Sequence, residues 1–273
     1  MQISTGFATI QNARLYFETA GKGRPLILLH SGITDHRMWA EQLREFSKHF
    51  HVIAPDFRGY GKSSVPDERF WHFDDIYRLI QELAFRSVYV GGCSLGGKAA
   101  MELAIAYPKL ISALILIAPG LPSYQFRDKE TLEKDMILGE LIASEKRDEV
   151  ADTLMDIWLV GLKRKRESVA SSVRVMVREM ILDNYDSVID KYPERKPKFN
   201  VLSRLSEIHV PTLVMIGDCD LPDMLAISQL VADRISGAER RLLHNTAHLP
   251  NLECSALFND VVIDFLKNHS GNL

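Results

Sequence analysis

The architecture of this chain depends on one octapeptide, Val90-Gly91-Gly92-Cys93-Ser94-Leu95-Gly96-Gly97. The apolar run 87–90 that leads into it predicts a buried strand, and the alanine-rich residues 95–106 that follow predict a helix. A serine on so sharp a strand-to-helix turn has a strained backbone, and glycine is needed two positions away on either side because a Cβ there would clash. The turn lifts the Ser94 hydroxyl clear of the sheet, beside the first amides of the helix, as a nucleophile requires.

A glycine-rich turn of this kind also has two roles that involve no nucleophile. It cradles phosphate groups in some proteins, and in others it simply allows a helix and a strand to pack closely. Cys93 adjoins the serine, but the residue before a nucleophile in this turn points elsewhere, which argues against a catalytic thiol. A serine nucleophile is therefore a hypothesis that the rest of the chain has to support.

The composition is that of a globular protein with a large core. The 273 residues are 46% hydrophobic and 25% charged, which fits one α/β domain that carries an inserted subdomain. The formal net charge of -3 provides no electrostatic attraction for nucleic acid or an anionic membrane, so we expect neither as a partner. The one basic run, residues 163–166, is predicted to be a solvated helix end.

The cysteines and the first residues bear on the cellular compartment. The first six residues lack the basic start and apolar core of a secretory signal, and the longest apolar run, 110–119, is too short to span a bilayer. The three cysteines, Cys93, Cys219 and Cys254, are odd in number and lack the spacing of metal ligands. We therefore expect a reduced, cytoplasmic protein, and the pattern indicates no oligomeric state.

Alternating strands and helices predict the fold class. Two short segments, 6–10 and 14–19, predict an antiparallel hairpin. Helices of ten or more residues then separate apolar strands, which calls for right-handed crossovers and a mostly parallel α/β sheet flanked by helices. The predicted parallel strands are residues 26–30, 51–54, 87–90, 112–118, 212–216 and 241–243. The predicted helices are residues 38–49, 74–84, 95–106, 224–235 and 255–267.

Residues 121–201 break this alternation because their apolar residues recur only at helical spacing. We therefore predict a core of residues 1–120 and 202–273, with 121–201 as an inserted helical cap. An insertion between two strands of one sheet is expected over their carboxyl ends, where open α/β sheets bind ligands. Most of its apolar side chains should pack the cap onto the core, and Trp158 is the first candidate to line an apolar substrate pocket.

The chemistry of a serine nucleophile requires two further residues. A hydroxyl becomes reactive when a histidine takes its proton, and a carboxylate fixes the tautomer of that histidine and stabilises its cation. The loop at 217–220 contains two aspartates and the loop at 244–250 contains two histidines, both directly after predicted strands. The order serine, aspartate, histidine along the chain is typical of one class of hydrolase.

Over nearly its whole length the chain resembles the α/β-hydrolase superfamily, in the branch that has a serine nucleophile and a helical cap. The motifs that carry the resemblance are residues 28–32, 56–63, 92–97, 217–220 and 248–253. The glycine-rich segment among them, 56–63, lacks the spacing of a phosphate loop and is expected to support the neighbouring loops of the site. The resemblance implies an α/β-hydrolase fold and a catalytic triad.

By this resemblance Ser94 corresponds to the nucleophile and Asp220 to the triad acid. Asp220 is preferred to Asp218 because the family places the acid three residues beyond the glycine that ends the strand. Asp218 and Asp223 are then expected to be exposed loop carboxylates.

His248 corresponds to the base of the family, which stands just before a helix-leading segment such as 249–253. His244 lacks that context. The spacing of the two histidines also resembles zinc ligands on a helix, but the polar residues between them and the stop at Pro250 favour a loop, and no third ligand is evident. We therefore expect neither a metal nor a cofactor.

An acyl-transfer site also needs two N–H donors for its oxyanion. The resemblance implies that Leu95 supplies one and that the loop after His30 supplies the other. Here the chain departs from the usual His-Gly-x pattern, because Ser31 occupies the glycine position. Gly32 is favoured over Ile33 as the second donor, and His30 is expected to brace the loop.

These residues predict a cofactor-free Ser-His-Asp hydrolase that cleaves a small, largely apolar ester, lactone or related carbonyl substrate through an acyl-enzyme. Serine at position 94 argues against the haloalkane dehalogenase and epoxide hydrolase branches, which have aspartate there. Relatives with the same triad cleave C–C bonds, and residues 34–39 have a weak resemblance to enol-lactonases and cofactor-free peroxidases. A further alternative is a ligand-sensing, receptor-like protein with slow or no turnover.

Overall fold

One mostly parallel sheet forms the centre of the molecule in a computed structural model, which describes residues 2–65, 68–122, 124–192, 194–195 and 199–269. Within these ranges the sheet has eight strands in the order β1-β2-β4-β3-β5-β6-β7-β8. The strands are β1 Ser4–Ile10, β2 Ala13–Ala20, β3 Pro25–Leu29, β4 His51–Pro55, β5 Val88–Cys93, β6 Ile111–Ile117, β7 Thr212–Gly217 and β8 Glu239–Leu243. The predicted fold class is confirmed.

The strand directions follow the predicted pattern. β1 and β2 form the antiparallel hairpin, and β2 also pairs antiparallel with β4. All the other pairs, from β4 to β8, are parallel, and β5 lies between β3 and β6 near the middle of the sheet. The carboxyl ends of β3, β5, β6, β7 and β8 therefore open at the same edge, where the predicted site residues begin.

Helices cover both faces of the sheet. They are α1 Ala40–Phe46, α2 His72–Glu82, α3 Leu95–Ala106, α4 Lys129–Ala143, α5 Arg147–Met155, α6 Ser171–Asp183, α7 Tyr185–Val188, α8 Val201–Arg204, α9 Pro222–Arg234, α10 Pro250–Glu253 and α11 Ser255–Asn268. None of those in the described ranges has the length and apolar character needed to cross a bilayer.

The side chains of β5 alternate between two buried clusters, one on each face of the sheet. Val90 belongs to a buried cluster that includes side chains of α2, α3 and α9, whereas its neighbour Tyr89 belongs to a second cluster with side chains of α1 and α11. Successive side chains of a strand point to opposite faces, so a central strand covered on both sides has to be apolar throughout. Every residue of β5 is buried.

The segment between β6 and β7 is helical, as its spacing predicts. It contains α4 to α8 and one π-helical turn, Asp156–Val160, which continues directly from α5. Buried residues of α5 and α6, among them Leu154 and Met180, join the apolar cluster of the second face.

The basic run at 163–166 is only partly the solvated segment that the sequence predicts, because Lys163 and Lys165 are exposed but Arg164 is not. The Arg164 side chain is only 5% exposed and forms an ion pair of 2.7 Å with Glu253. Its guanidinium also donates to the carbonyl oxygens of Val160 and Asn245, at 2.8 and 2.6 Å. Arg164 therefore ties the end of the π-helical turn to the loop between β8 and α10. The prediction failed because Glu253 lies almost ninety residues further along the chain.

The turn between β5 and α3 brings backbone atoms into direct contact. A Cβ on Gly96 would lie 2.3 Å from the Leu29 carbonyl oxygen and 2.8 Å from that of His30. By contrast, a Cβ on Gly139, on the exposed face of α4, meets nothing within 4 Å.

These two glycines form a matched pair for a stability measurement. We expect Gly139→Ala to raise the free energy of unfolding by about 0.5–1 kcal/mol, because alanine restricts the unfolded chain and favours helix. Gly96→Ala should lower it by about 1–3 kcal/mol or more, since the new methyl group overpacks rigid backbone. Urea denaturation of both variants checks this, and similar changes in the two would contradict the packing described.

Helix α3 also contains a buried acid. Glu102 is fully buried, and neither of its carboxylate oxygens has a hydrogen-bond partner among the described residues. The closest cation, Lys98 one turn earlier, places its Nζ 3.8 Å from Oε1 and also pairs with Glu194. Burial raises the pKa of Glu102 to about 8. The folded protein therefore holds a proton on this side chain that the unfolded chain releases at lower pH.

The difference between the pKa of Glu102 in the folded protein and in the unfolded chain makes the free energy of unfolding depend on pH. Because the folded pKa lies above the ordinary value of 4.5, the stability contributed by Glu102 is complete at low pH and is lost as the pH rises toward 8. We expect Glu102→Gln to match the wild type near pH 4.5 and to exceed it at pH 8 by roughly 2–4 kcal/mol. Denaturation curves at the two pH values measure this, with the exposed Glu133→Gln as control. An unchanged pH dependence in E102Q would contradict it.

Candidate active site

Ser94 occupies the turn between β5 and α3. Its backbone angles, φ 54° and ψ −110°, are strained for a residue with a side chain. A Cβ on Gly92 would lie 2.2 Å from the carbonyl oxygen of Gly96, so the close approach inferred from the sequence is present. Hydrogen bonds hold the turn, since the Ser94 amide donates to Ile117 at 2.9 Å and its carbonyl accepts from Gly120 at 2.9 Å.

Asp220 and His248 form a buried pair at the carboxyl ends of β7 and β8. His248 Nδ1 lies 2.8 Å from Asp220 Oδ2, and both side chains are nearly inaccessible to solvent. The other carboxylate oxygen of Asp220 accepts a hydrogen bond of 2.8 Å from the Leu221 amide. A carboxylate only accepts hydrogen bonds, so the proton of a neutral His248 lies on Nδ1 and Nε2 is left as a proton acceptor.

Ser94 and His248 line one cavity of about 300 Å³. Asp220 lies behind the histidine and outside that lining. The described residues include no direct hydrogen bond between the serine and histidine side chains, and bonds of this kind often tighten only when substrate binds. Two of the three predicted residues therefore line one cavity, and the third contacts the histidine from behind, although the three come from separate loops.

The neighbouring acids have other partners. Asp218, whose side chain is 30% exposed, contacts the exposed His244 ring at 2.9 Å and accepts from the Asn245 amide at 2.7 Å. Neither Asp218 nor His244 lines the cavity. The structure therefore pairs each aspartate of this loop with a different histidine, and only the second pair reaches the cavity.

The prediction that Asp223 is an exposed loop carboxylate is wrong. Asp223 lies in the first turn of α9, is buried, and accepts hydrogen bonds from the Arg127 and Asp128 amides at 2.7 and 2.8 Å. The Tyr124 hydroxyl donates to it as well, at 3.0 Å. Its partners lie about a hundred residues earlier in the chain, so no local pattern indicates them.

Two backbone amides lie close to Ser94 without partners. A Cβ on Gly32 would lie 3.7 Å from the Leu95 Cβ, so these two residues are neighbours. The Ile33 amide donates to the Ser31 hydroxyl at 3.3 Å, whereas the amides of Gly32 and Leu95 have no hydrogen-bond acceptor among the described residues. This difference supports Gly32 over Ile33 as the second oxyanion donor.

His30 braces the loop that carries Gly32. Its Nδ1 donates to the Ser31 carbonyl at 2.8 Å, and its Nε2 accepts from the Phe57 amide at 2.9 Å. Burial lowers the pKa of His30, so the ring stays neutral with both nitrogens occupied. It is therefore a structural residue and has no nitrogen left to act as a second base.

Trp158 lies against the catalytic histidine candidate. Its ring centre is 4.5 Å from that of His248, and its carbonyl accepts from the His248 amide at 3.2 Å. The indole lines the cavity from the π-helical turn. A π-helical turn is often associated with a functional site, because the extra residue redirects a side chain.

The cavity wall also contains polar residues that the sequence does not single out as site residues. They are Arg58, Tyr60, His72, Asp190, Tyr192 and Glu194. Arg58 and Tyr60 belong to the glycine-rich loop that the sequence predicts to be structural, and His72 is the first residue of α2. Basic and aromatic side chains occur beside many glycine-rich loops. The sequence pattern therefore could not identify these residues as part of a cavity.

One cluster outside the cavity has the composition of a metal site. Asp35, His36 and Asp56 bring potential ligand atoms within 4.8 Å of one another. These atoms are already paired, because Asp56 accepts from His36 Nδ1 at 2.7 Å and Asp35 forms two hydrogen bonds with the Arg37 guanidinium. Burial alone would lower the pKa of His36, but Asp56 and its other acidic neighbours raise it above the ordinary value.

Comparison with known proteins bears on the fold of the whole chain. A family model described as alpha/beta hydrolase fold matches residues 24–253. The AB hydrolase superfamily protein YisY of Bacillus subtilis is 27% identical over 226 residues, which are 78% of this chain and 80% of that protein. A 2-hydroxy-6-oxononadienedioate/2-hydroxy-6-oxononatrienedioate hydrolase of Comamonas testosteroni is 24% identical over 269 residues, covering 95% of this chain and 93% of that protein.

Solved structures show the same architecture. Est816, described as an N-acyl homoserine lactone degrading enzyme, superimposes with a TM-score of 0.80 at 26% identity, covering 95% of this chain and all of that one. An enol-lactonase from Burkholderia xenovorans has a TM-score of 0.79 at 24% identity, over 96% of this chain and 100% of that one. Since the family model spans most of the chain and the eight-stranded sheet is shared, this chain belongs to the alpha/beta hydrolase fold family.

Proposed function

We propose that this chain is a serine hydrolase of small carboxylic esters or lactones, with Ser94, His248 and Asp220 as its catalytic triad. One observation carries the proposal: the buried Asp220–His248 pair reaches the cavity beside Ser94, where the Gly32 and Leu95 amides, which have no acceptor among the described residues, also lie. The first amides of a helix have no acceptor within the helix, so an amide such as that of Leu95 is available to an anion or an oxyanion in the cavity.

In the first half of the reaction Ser94 Oγ attacks the carbonyl carbon of the substrate. His248 Nε2 takes the serine proton, and Asp220 stabilises the resulting imidazolium through the Nδ1 hydrogen bond. The carbonyl oxygen becomes an oxyanion that accepts from the Leu95 and Gly32 amides, each worth about 3 kcal/mol of barrier. The proton then passes from His248 to the leaving alcohol, which departs and leaves an acyl group on Ser94.

In the second half a water molecule replaces the alcohol. His248 removes one of its protons, the hydroxide adds to the acyl carbon, and collapse of the intermediate releases the acid and returns the proton to Ser94. A lactone follows the same steps, except that the alcohol stays attached to the acyl group.

The cavity supports a small substrate. A volume of about 300 Å³ lies at the lower end of the range for small-molecule sites. Trp158 would contact the bound substrate from the inserted helical segment, residues 121–201, which we propose acts as a cap over the core of residues 1–120 and 202–273. The likeness to Est816, a lactone-degrading enzyme, adds support for an ester or lactone.

A series of p-nitrophenyl esters from acetate to octanoate, with simple γ-lactones beside it, tests this function. We expect Ser94→Ala to reduce kcat/KM by at least about 10³-fold, since the nucleophile is lost. Asp220→Asn should reduce it by about 10²–10⁴-fold, because an amide no longer holds His248 in the required tautomer.

Asp218→Asn is the matched control, because Asp218 lies in the same loop and pairs with His244 instead. We expect it to change kcat/KM by less than about twofold, as surface substitutions usually do. Full activity in S94A, or an equal loss in D218N and D220N, would contradict the assignment. A wild type that is inactive on every ester and lactone would favour the C–C hydrolase or receptor-like alternatives.

A further inference from the structure

The proposed mechanism leaves part of the cavity wall unexplained. The triad and the oxyanion donors account for Ser94, His248, Gly32 and Leu95. The remaining lining includes apolar side chains, but it also includes a polar wall formed by Arg58, Tyr60, His72, Asp190 and Glu194. A pocket for a plain alkyl chain has no need of such a wall, because buried polar groups cost free energy unless they form hydrogen bonds.

Among the described residues, His72 is the buried polar side chain of this wall that has unused hydrogen-bonding capacity. The residue is only 4% exposed, it lines the cavity, and its ring makes no hydrogen bond with any described residue. Nδ1 is buried without a partner and inaccessible, so Nε2 is the nitrogen that a bound molecule can reach. The ring packs between Phe57 and Phe70, with centre distances of 4.4 and 4.9 Å. These aromatic contacts hold the imidazole in place but satisfy neither of its nitrogens.

The other buried members of the wall are already paired. Arg58 donates two hydrogen bonds to the Asp75 carboxylate, at 2.9 and 2.7 Å. The Tyr60 hydroxyl donates to the Gly32 carbonyl at 3.1 Å. Glu194 pairs with Lys98 and accepts from the His72 amide at 2.9 Å. His72 is therefore the position at which a bound molecule gains a hydrogen bond without breaking one.

The charges of the wall select against an anionic ligand. Asp75 neutralises Arg58 and Lys98 neutralises Glu194, so among the described lining residues Asp190 is the carboxylate without a cationic partner. His72 adds no positive charge, since burial and the nearby cation Lys98 lower its pKa well below the ordinary value. A neutral imidazole has one donor and one acceptor nitrogen, which matches a hydroxyl or an amide, groups that also both donate and accept.

We propose that His72 is a specificity-determining residue, which forms a hydrogen bond with a hydroxyl or amide group of an uncharged substrate. This proposal rests on the proposed function and narrows it, because the preferred ester or lactone then carries a polar group besides the reacting carbonyl. Substrates with a carboxylate in place of that group are disfavoured by Asp190.

Three p-nitrophenyl esters of similar size test this specificity: butyrate, 3-hydroxybutyrate and the half-ester of succinate. We expect the wild type to prefer the hydroxylated ester over butyrate by about tenfold or more in kcat/KM, and to use the succinate half-ester least. His72→Phe, which keeps an aromatic ring between Phe57 and Phe70, should remove the preference while changing kcat/KM for butyrate by less than about threefold.

Two further variants separate specificity from structure. His72→Gln places a donor and an acceptor close to the position of Nε2, so it should retain part of the preference that H72F loses. It also replaces H72F as the test if H72F does not fold. His244→Phe changes an exposed histidine outside the cavity and should leave the preference unchanged.

Several outcomes would overturn the proposal. If folded H72F loses the same factor in kcat/KM on butyrate and on 3-hydroxybutyrate, His72 contributes only packing. A wild type that shows no preference for the hydroxylated ester would exclude the hydrogen bond from His72. A wild type that prefers the succinate half-ester would contradict the argument from charge. Each of these results would leave the proposed function intact if the wild type hydrolyses butyrate and Ser94→Ala does not. If no ester is hydrolysed, the proposed function fails and this proposal fails with it.

Discussion

Close backbone packing at the turn between β5 and α3 is the constraint on which the site depends. The chain at Gly92 touches the first turn of α3, and Gly96 touches the end of β3, so no side chain fits at either position. This packing holds Ser94 in a strained conformation that an isolated peptide would leave. It also sets the first amide of α3 beside the loop that carries Gly32. The proposed nucleophile and the proposed oxyanion donors are thus positioned by one contact between rigid elements.

The histidine reaches this turn through a second set of buried contacts. Asp220 fixes one side of the His248 ring, and Trp158 packs against it while accepting from its amide. Arg164 and Glu253 form a buried ion pair that joins the π-helical turn to the loop of His248. Removing one member of such a pair leaves an uncompensated buried charge, so this contact stabilises the loop only while both are present. The inserted helices are therefore coupled structurally to the proposed base.

The sequence predicted those features that depend on residues close together in the chain. The strand-to-helix turn, the parallel sheet and the order of serine, aspartate and histidine each follow from a local pattern or a motif. Asp223 and Arg164 were misread because their partners are distant in the chain. Asp223 accepts from Tyr124 and the Arg127 amide, and Arg164 pairs with Glu253. His72 was missed because the cavity wall to which it belongs is assembled from several loops. Burial of a charged or polar side chain is decided by the assembled fold, which no local pattern specifies.

Covalent labelling with a fluorophosphonate tests the central claim most directly, because the reagent needs no knowledge of the substrate. An activated serine displaces fluoride and forms a stable phosphonate ester, which intact-mass and peptide spectra locate. We expect one adduct per chain, on the peptide that contains Ser94, with slow labelling in Asp220→Asn and none at that site in Ser94→Ala. An adduct on another residue, or an unlabelled wild type under conditions that label a known serine esterase, would contradict the assignment of Ser94 as an activated nucleophile.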